Sequence, residues 1–127
     1  MRLTLRSELP FVELCVVYAG RRVLISNALV DTGAASTVVS ADFVSQIGVV
    51  LEPTDPLRTL RGVGGREYVF VRRRDRVALD DRGVDGFDVE VGDMDYGFDI
   101  NAIIGMDFLR ATGAVIDLRA LTVDLQG

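Results

Sequence analysis

Short apolar runs of about four to eight residues alternate with turn residues along the chain, and that rhythm predicts an all-β protein. Runs rich in Val, Ile, Leu and Tyr place strands near residues 2–7, 10–18, 22–31, 67–72, 76–80, 84–91, 100–104, 113–118 and 121–125. The punctuation agrees: Ala19-Gly20-Arg21, Asp80-Asp81-Arg82-Gly83 and Arg119-Ala120 each fit a tight connection between two strands. Two short helices interrupt the pattern. Ser40 fits a cap over Ala41–Ile47, which Gly48 ends, and Met106–Ala111 reads as a short amphipathic helix closed by Gly113. Pro53-Thr54-Asp55-Pro56 is an extended or turning link, and it leads into Gly62-Val63-Gly64-Gly65 at the tip of a hairpin. Glycines there permit positive φ angles and close approach of backbone to a ligand.

Composition narrows the possibilities. A chain of 127 residues that is 49% apolar reads as a single domain over 1–127, able to bury roughly two-thirds of its unfolded surface without disulfides. No apolar run approaches the about 20 residues needed to span a bilayer, so no membrane association is expected. Pro10 and Glu13 interrupt the stretch after Arg2 and Arg6, leaving no signal-peptide core and a cytoplasmic location as the expectation. The lone Cys15 sits in a strand-like run, where core packing is its expected role. Histidine is absent, which removes Ser-His and Cys-His nucleophile chemistry and the usual zinc ligand sets.

All 14 basic residues are Arg, yet 19 acids leave a net charge of −5, so no nucleic-acid partner is expected. Arg72-Arg73-Arg74 with Arg76, flanked by Asp75 and Asp80-Asp81, reads as a solvated strand face or hairpin rather than a phosphate-binding patch. The acids Asp80, Asp81, Asp85, Asp88, Asp93, Asp95 and Asp99 lack calcium-loop spacing and read as solvated surface, so neither metal nor other cofactor is expected.

Chemistry is expected at Asp31. The apolar stretch Ala28-Leu29-Val30 ends in Asp31-Thr32-Gly33-Ala34, which holds a carboxylate at the edge of a core just before a turn of small residues. With Ser36-Thr37 following, this stretch resembles the catalytic signature of the retropepsin-like aspartic proteases. Ala102-Ile103-Ile104-Gly105, followed by Met106-Asp107-Phe108-Leu109, looks like that family's second signature and short helix. The Gly62–Gly65 hairpin lies between the two, where the family has its flap.

The resemblance implies a closed β barrel with one or two short helices, active as a two-fold homodimer on an extended polypeptide. It maps Asp31 onto the catalytic acid and Thr32 onto the residue whose hydroxyl bonds across the two-fold axis. Gly33 matches the position whose carbonyl receives a substrate N–H. Leu29, Ala34, Ile103 and Ile104 match positions around the side-chain pockets, and Gly62, Val63, Gly64 and Gly65 match the flap tip. Some positions depart from the retroviral pattern: Ala35 and Ser36 replace acids, Met106 replaces an Arg, and the polar Arg66 follows the flap glycines. A different brace for the dimer is implied, closer to cellular and bacterial relatives. Asp107 reads as structural, a hydrogen-bond partner of the Asp31 loop through Thr37.

Peptide hydrolysis without a metal or covalent nucleophile needs one group to deprotonate water and another to polarise the carbonyl. Two carboxylates held about 3 Å apart, sharing one proton, do both. The chain has one Asp-Thr-Gly and no Asp-Ser-Gly, so the dyad requires two copies. The alternative reading is a catalytically silent homodimeric module that binds peptide or dimerises on the same fold.

Overall fold

Residues 1–62, 65–94 and 99–126 are described in a computed structural model of the chain, which is mostly β with two short helices. β1 (Thr4–Arg6), β2 (Leu9–Tyr18) and β3 (Arg21–Val30) form an antiparallel meander. Its turns take left-handed backbone at Ser7-Glu8 and at Ala19-Gly20, as two-residue hairpins need to match the twist of their strands. β4 (Val38–Ser40) runs directly into α1 (Ala41–Val44) and a 3₁₀ turn over Ser45–Ile47, ended by Gly48 at φ 87°. A second antiparallel meander follows in β5 (Leu57–Gly62), β6 (Gly65–Leu79) and β7 (Arg82–Gly92). β8 (Ala102–Ile104) and α2 (Met106–Ala111) come next, and β9 (Val115–Asp117) and β10 (Thr122–Asp124) pair as a separate ribbon. Among the described residues, no helix is long and apolar enough to cross a membrane.

Eight strands pair in the order β1-β2-β3-β8-β4-β7-β6-β5, and β2 also pairs with β6. Two of these pairings are parallel, β3 with β8 and β4 with β7. β8 is thus flanked by both limbs of one loop. The chain leaves β3 at Val30, turns through 31–37 and comes back as β4 on the other side of β8.

A β-bulge decides which way that loop faces. Register along β2 and β3 shifts between Val12↔Ala28 and Leu14↔Ile25, so that Ser26 and Asn27 oppose the single residue Glu13. The extra residue flips the alternation, leaving Ile25 and Ala28 both buried and turning Leu29 to the opposite face from Val30. Asn27 takes left-handed backbone at φ 54°. The bulge is braced by Asn101 N–H on the Asn27 carbonyl (3.0 Å), Asn101 Nδ2 on the Ser26 carbonyl (2.9 Å) and Asn27 Nδ2 on Asp99 Oδ2 (2.6 Å).

Apolar side chains cluster on both faces. The larger cluster gathers Leu14, Val16, Ile25, Val30, Val89, Val91, Ile104 and Phe108 among others. The smaller joins Phe11, Val38, Val69, Met94 and Ile100, with the partly buried Leu9, Leu29 and Ile103 packed against it.

Several expectations change. β4 and β5 are strands the sequence pattern does not reveal, and β6 is continuous where two strands, 67–72 and 76–80, are predicted. Ser40 stands at the N-cap of α1 but makes no side-chain cap bond. Cys15 is half-buried rather than a core residue. The arginine run is only half solvated. Arg73 and Arg76 pair with Asp88 (3.1 Å) and Asp85 (2.9 Å) across β7, as a solvated face would. Arg72 and Arg74, which flank Arg73 on the opposite face, turn inward. Arg72 bonds Asp55, the Tyr18 hydroxyl (3.1 Å) and the Val50 carbonyl (3.1 Å), and it lies against the Tyr18 and Phe70 rings. That guanidinium, followed by the Glu52 N–H, holds the Asp55 carboxyl below its ordinary value. Arg74 is fully buried under Tyr18, with Nε and Nη2 lacking acceptors among the described residues, and burial pushes its pKa down to about 10.

Candidate active site

Val30 pairs with Ile104, and Asp31 N–H continues that ladder by donating to the Ile104 carbonyl at 3.0 Å. The half-buried Asp31 then turns the chain: its Oδ1 accepts from Gly33 N–H (2.9 Å) and its carbonyl accepts from Ala34 N–H (3.2 Å). A Cβ at position 33 would stand 3.2 Å from Asp31 Oδ1, so a side chain there would crowd the carboxylate. Thr32 and Gly33 are exposed at the tip.

The returning limb is tied to the start of α2. Met106 N–H donates to the Ala34 carbonyl (2.8 Å) and Asp107 N–H to the Ala35 carbonyl (3.1 Å). Asp107 accepts from Thr37 N–H (3.2 Å), Thr37 Oγ1 (2.8 Å) and Phe108 N–H (2.7 Å), while Thr37 Oγ1 itself accepts from Gly105 N–H (3.1 Å). The brace through Thr37 is the structural role expected of Asp107. Gly105 has no alternative, since a Cβ there would meet the Ser36 carbonyl oxygen at 2.4 Å. A largely buried network of this kind, with both oxygens of its acid engaged, fixes a loop in one shape.

The remaining predicted residues fall into three groups. Leu29, Ile103 and Ala34 are partly exposed beside the Asp31 turn, the first two packed on the smaller cluster. Ile104 is fully buried in the larger cluster, so its side chain backs the site rather than lining a pocket. Gly62 and Gly65 pair with each other at the end of the β5–β6 hairpin. Val63 and Gly64 lie outside the described residues.

Two residues near the turn escape sequence reasoning. Val38 pairs with both Ile103 and Glu90, which extends the Leu29–Ile103 row one strand further. Glu90 then occupies a buried position, its N–H on the Thr37 carbonyl at 3.0 Å. In Val89-Glu90-Val91 an acid between valines reads as the wet face of a strand, and nothing in the sequence signals otherwise.

A family model described as "Aspartyl protease" matches residues 15–108, a span that contains the Asp31 turn, the hairpin and β8. No curated protein matches the chain.

Proposed function

Since the chain belongs to this aspartyl protease family, of the retropepsin-like clan, we propose that it is an endopeptidase whose catalytic dyad forms from Asp31 of two identical copies. The observation that carries this reading is the asymmetry of the Asp31 turn. Its backbone is held by β8 and α2, while a single donor among the described residues, Gly33 N–H, engages the carboxylate. Such a group is fixed in place yet keeps acceptor capacity for a water and a second acid.

In the dimer one Asp31 carries a proton and the other does not. The ionised carboxylate takes a proton from water as the oxygen attacks the peptide carbonyl, and the protonated one donates to the carbonyl oxygen. Collapse of the tetrahedral species returns a proton to the leaving amine. The exposed Thr32 supplies a hydroxyl toward the partner loop, and the Gly33 carbonyl receives substrate N–H. Leu29, Ala34 and Ile103 line the side-chain pockets with Ile104 behind them. Gly62, Val63, Gly64 and Gly65 form the flap that lies along the peptide as an added strand. The return pairing of β2 with β6 supports a barrel closed on itself.

The test is hydrolysis of a peptide library between acidic and neutral pH by the native chain and Asp31→Asn, with sedimentation alongside. Cleavage by the native protein alone, in step with dimer content, is expected. A native dimer that binds peptides and cleaves none transfers the assignment to a silent binding module.

A further inference from the structure

Paired residues on neighbouring strands share a face. Phe11, Leu29, Ile103, Val38 and Glu90 therefore form one row across β2, β3, β8, β4 and β7, all on the side of the smaller apolar cluster. Four members are apolar and the fifth is a carboxylate only 3% exposed. Among the described residues, neither Glu90 oxygen accepts a hydrogen bond. The one cation paired with it there is Arg58 of β5, with Nη1 2.9 Å from Oε1, an ion pair out of hydrogen-bonding alignment. A buried acid so poorly furnished is costly unless a cation meets it in good geometry.

Arg58 is a temporary kind of partner. Its side chain is 59% exposed and comes from the arm of the glycine hairpin, so its departure from Glu90 requires no opening of the core. Further along the same face, Ser40, Met94 and Ile100 border a recess of about 500 Å³ whose charged residues, among those described, are the acids Asp42, Asp93 and Asp99. A recess lined by charge of one sign concentrates the opposite charge.

Resting on the peptidase reading above, we propose that Glu90 is a specificity-determining acid that selects substrates with a lysine or arginine side chain near the cleaved bond, and that Arg58 holds that side chain's place in the free protein. Glu90 lies three strand spacings from Leu29, about 14 Å, which corresponds to about four residues of extended peptide. The selected side chain therefore falls within about four residues of the scissile bond. The incoming cation displaces Arg58 and meets both carboxylate oxygens, which a guanidinium does bidentately.

Peptides with Arg, Leu or Glu at each position flanking the cleaved bond test this. For the native chain, kcat/KM at one position is expected to favour Arg over Leu by about tenfold or more, as for a hydrogen bond to a buried charge. In Glu90→Gln that ratio falls to within about twofold of unity. Arg58→Ala, at an exposed position that spares the fold, lowers KM for the Arg peptide. Equal use of Arg and Leu by the native chain, an Arg preference that survives Glu90→Gln, or an Arg58→Ala KM that stays level or rises each overturns the inference. Binding of the same peptides to Asp31→Asn separates it from the peptidase reading. Preferred binding of the Arg peptide without cleavage by the native chain sinks catalysis alone, while equal binding of Arg and Leu peptides sinks the role of Glu90.

Discussion

The turn after β3 and the start of α2 each carry an aspartate, and the two are furnished in opposite ways. Asp107 accepts from Thr37 N–H, Thr37 Oγ1 and Phe108 N–H, so both its oxygens are engaged. Asp31 accepts from Gly33 N–H on one oxygen, beside an exposed Thr32. The first arrangement exchanges reactivity for shape. The second keeps acceptor capacity open and borrows its shape from backbone bonds to Ile104 and, through the returning limb, to Met106 and Asp107. On the reading proposed above, neighbouring acids divide the work of one site according to how many donors surround each.

The sharpest way to break that division is Asp31→Asn. Peptide hydrolysis is expected to fall by about 10²- to 10⁴-fold or more, while urea unfolding shifts by less than about 1 kcal/mol, because an amide oxygen still accepts from Gly33 N–H. A stability loss that matched the activity loss would make Asp31 structural like its neighbour. Asp107→Ala should do the reverse, lowering stability by about 3 kcal/mol or more by stranding three donors, with activity following the folded fraction and its loop geometry. In that background Thr37→Val should add little, and a double-mutant cycle read by urea denaturation should show coupling of about 1–2 kcal/mol. Gly105→Ala presses a methyl group on the Ser36 carbonyl and should cost about 1–3 kcal/mol in the same assay.

The smallest effect concerns a third acid. Arg72 holds the folded Asp55 carboxyl below its ordinary value, so its contribution is present above the unfolded pKa of about 3.9 and is lost as pH falls through the lower folded value. Asp55→Asn should therefore differ from the native chain in urea midpoint at pH 5 and 7, and the difference should shrink toward pH 2.

How much the sequence reveals depends on which forces are local. The apolar run into Asp31, the Ile103-Ile104-Gly105 stretch and α2 are legible, because apolar runs, glycine placement and the family resemblance carry them. β4 is not: three residues of strand owe their state to β7 and β8, which arrive much later in the chain. The bulge at Ser26-Asn27 is hidden for the same reason, since only its partner strand shows that the alternation has flipped. Glu90, Arg72 and Arg74 expose a deeper limit. Alternation distinguishes the two faces of a strand but does not say which is wet, and here both faces carry apolar clusters. Glu90 lies on the side of the smaller cluster and Arg72 and Arg74 on the side of the larger, so charged residues turn inward on both faces.

The placement of β8 between the limbs of the Asp31 loop also sets an order of events. Thr37 meets Asp107 across 70 residues of chain, and the parallel pairing of β3 with β8 forms only after β4 through β7 have been made or held open. Closing so long a loop costs entropy before its contacts repay it, which slows folding. As the chain emerges during synthesis, its first meander is available to fold early, whereas the turn bearing Asp31 waits for residues 102–108. The fully formed turn therefore depends on residues 102–108, and a chain that ends before them carries the aspartate without the frame that aims it.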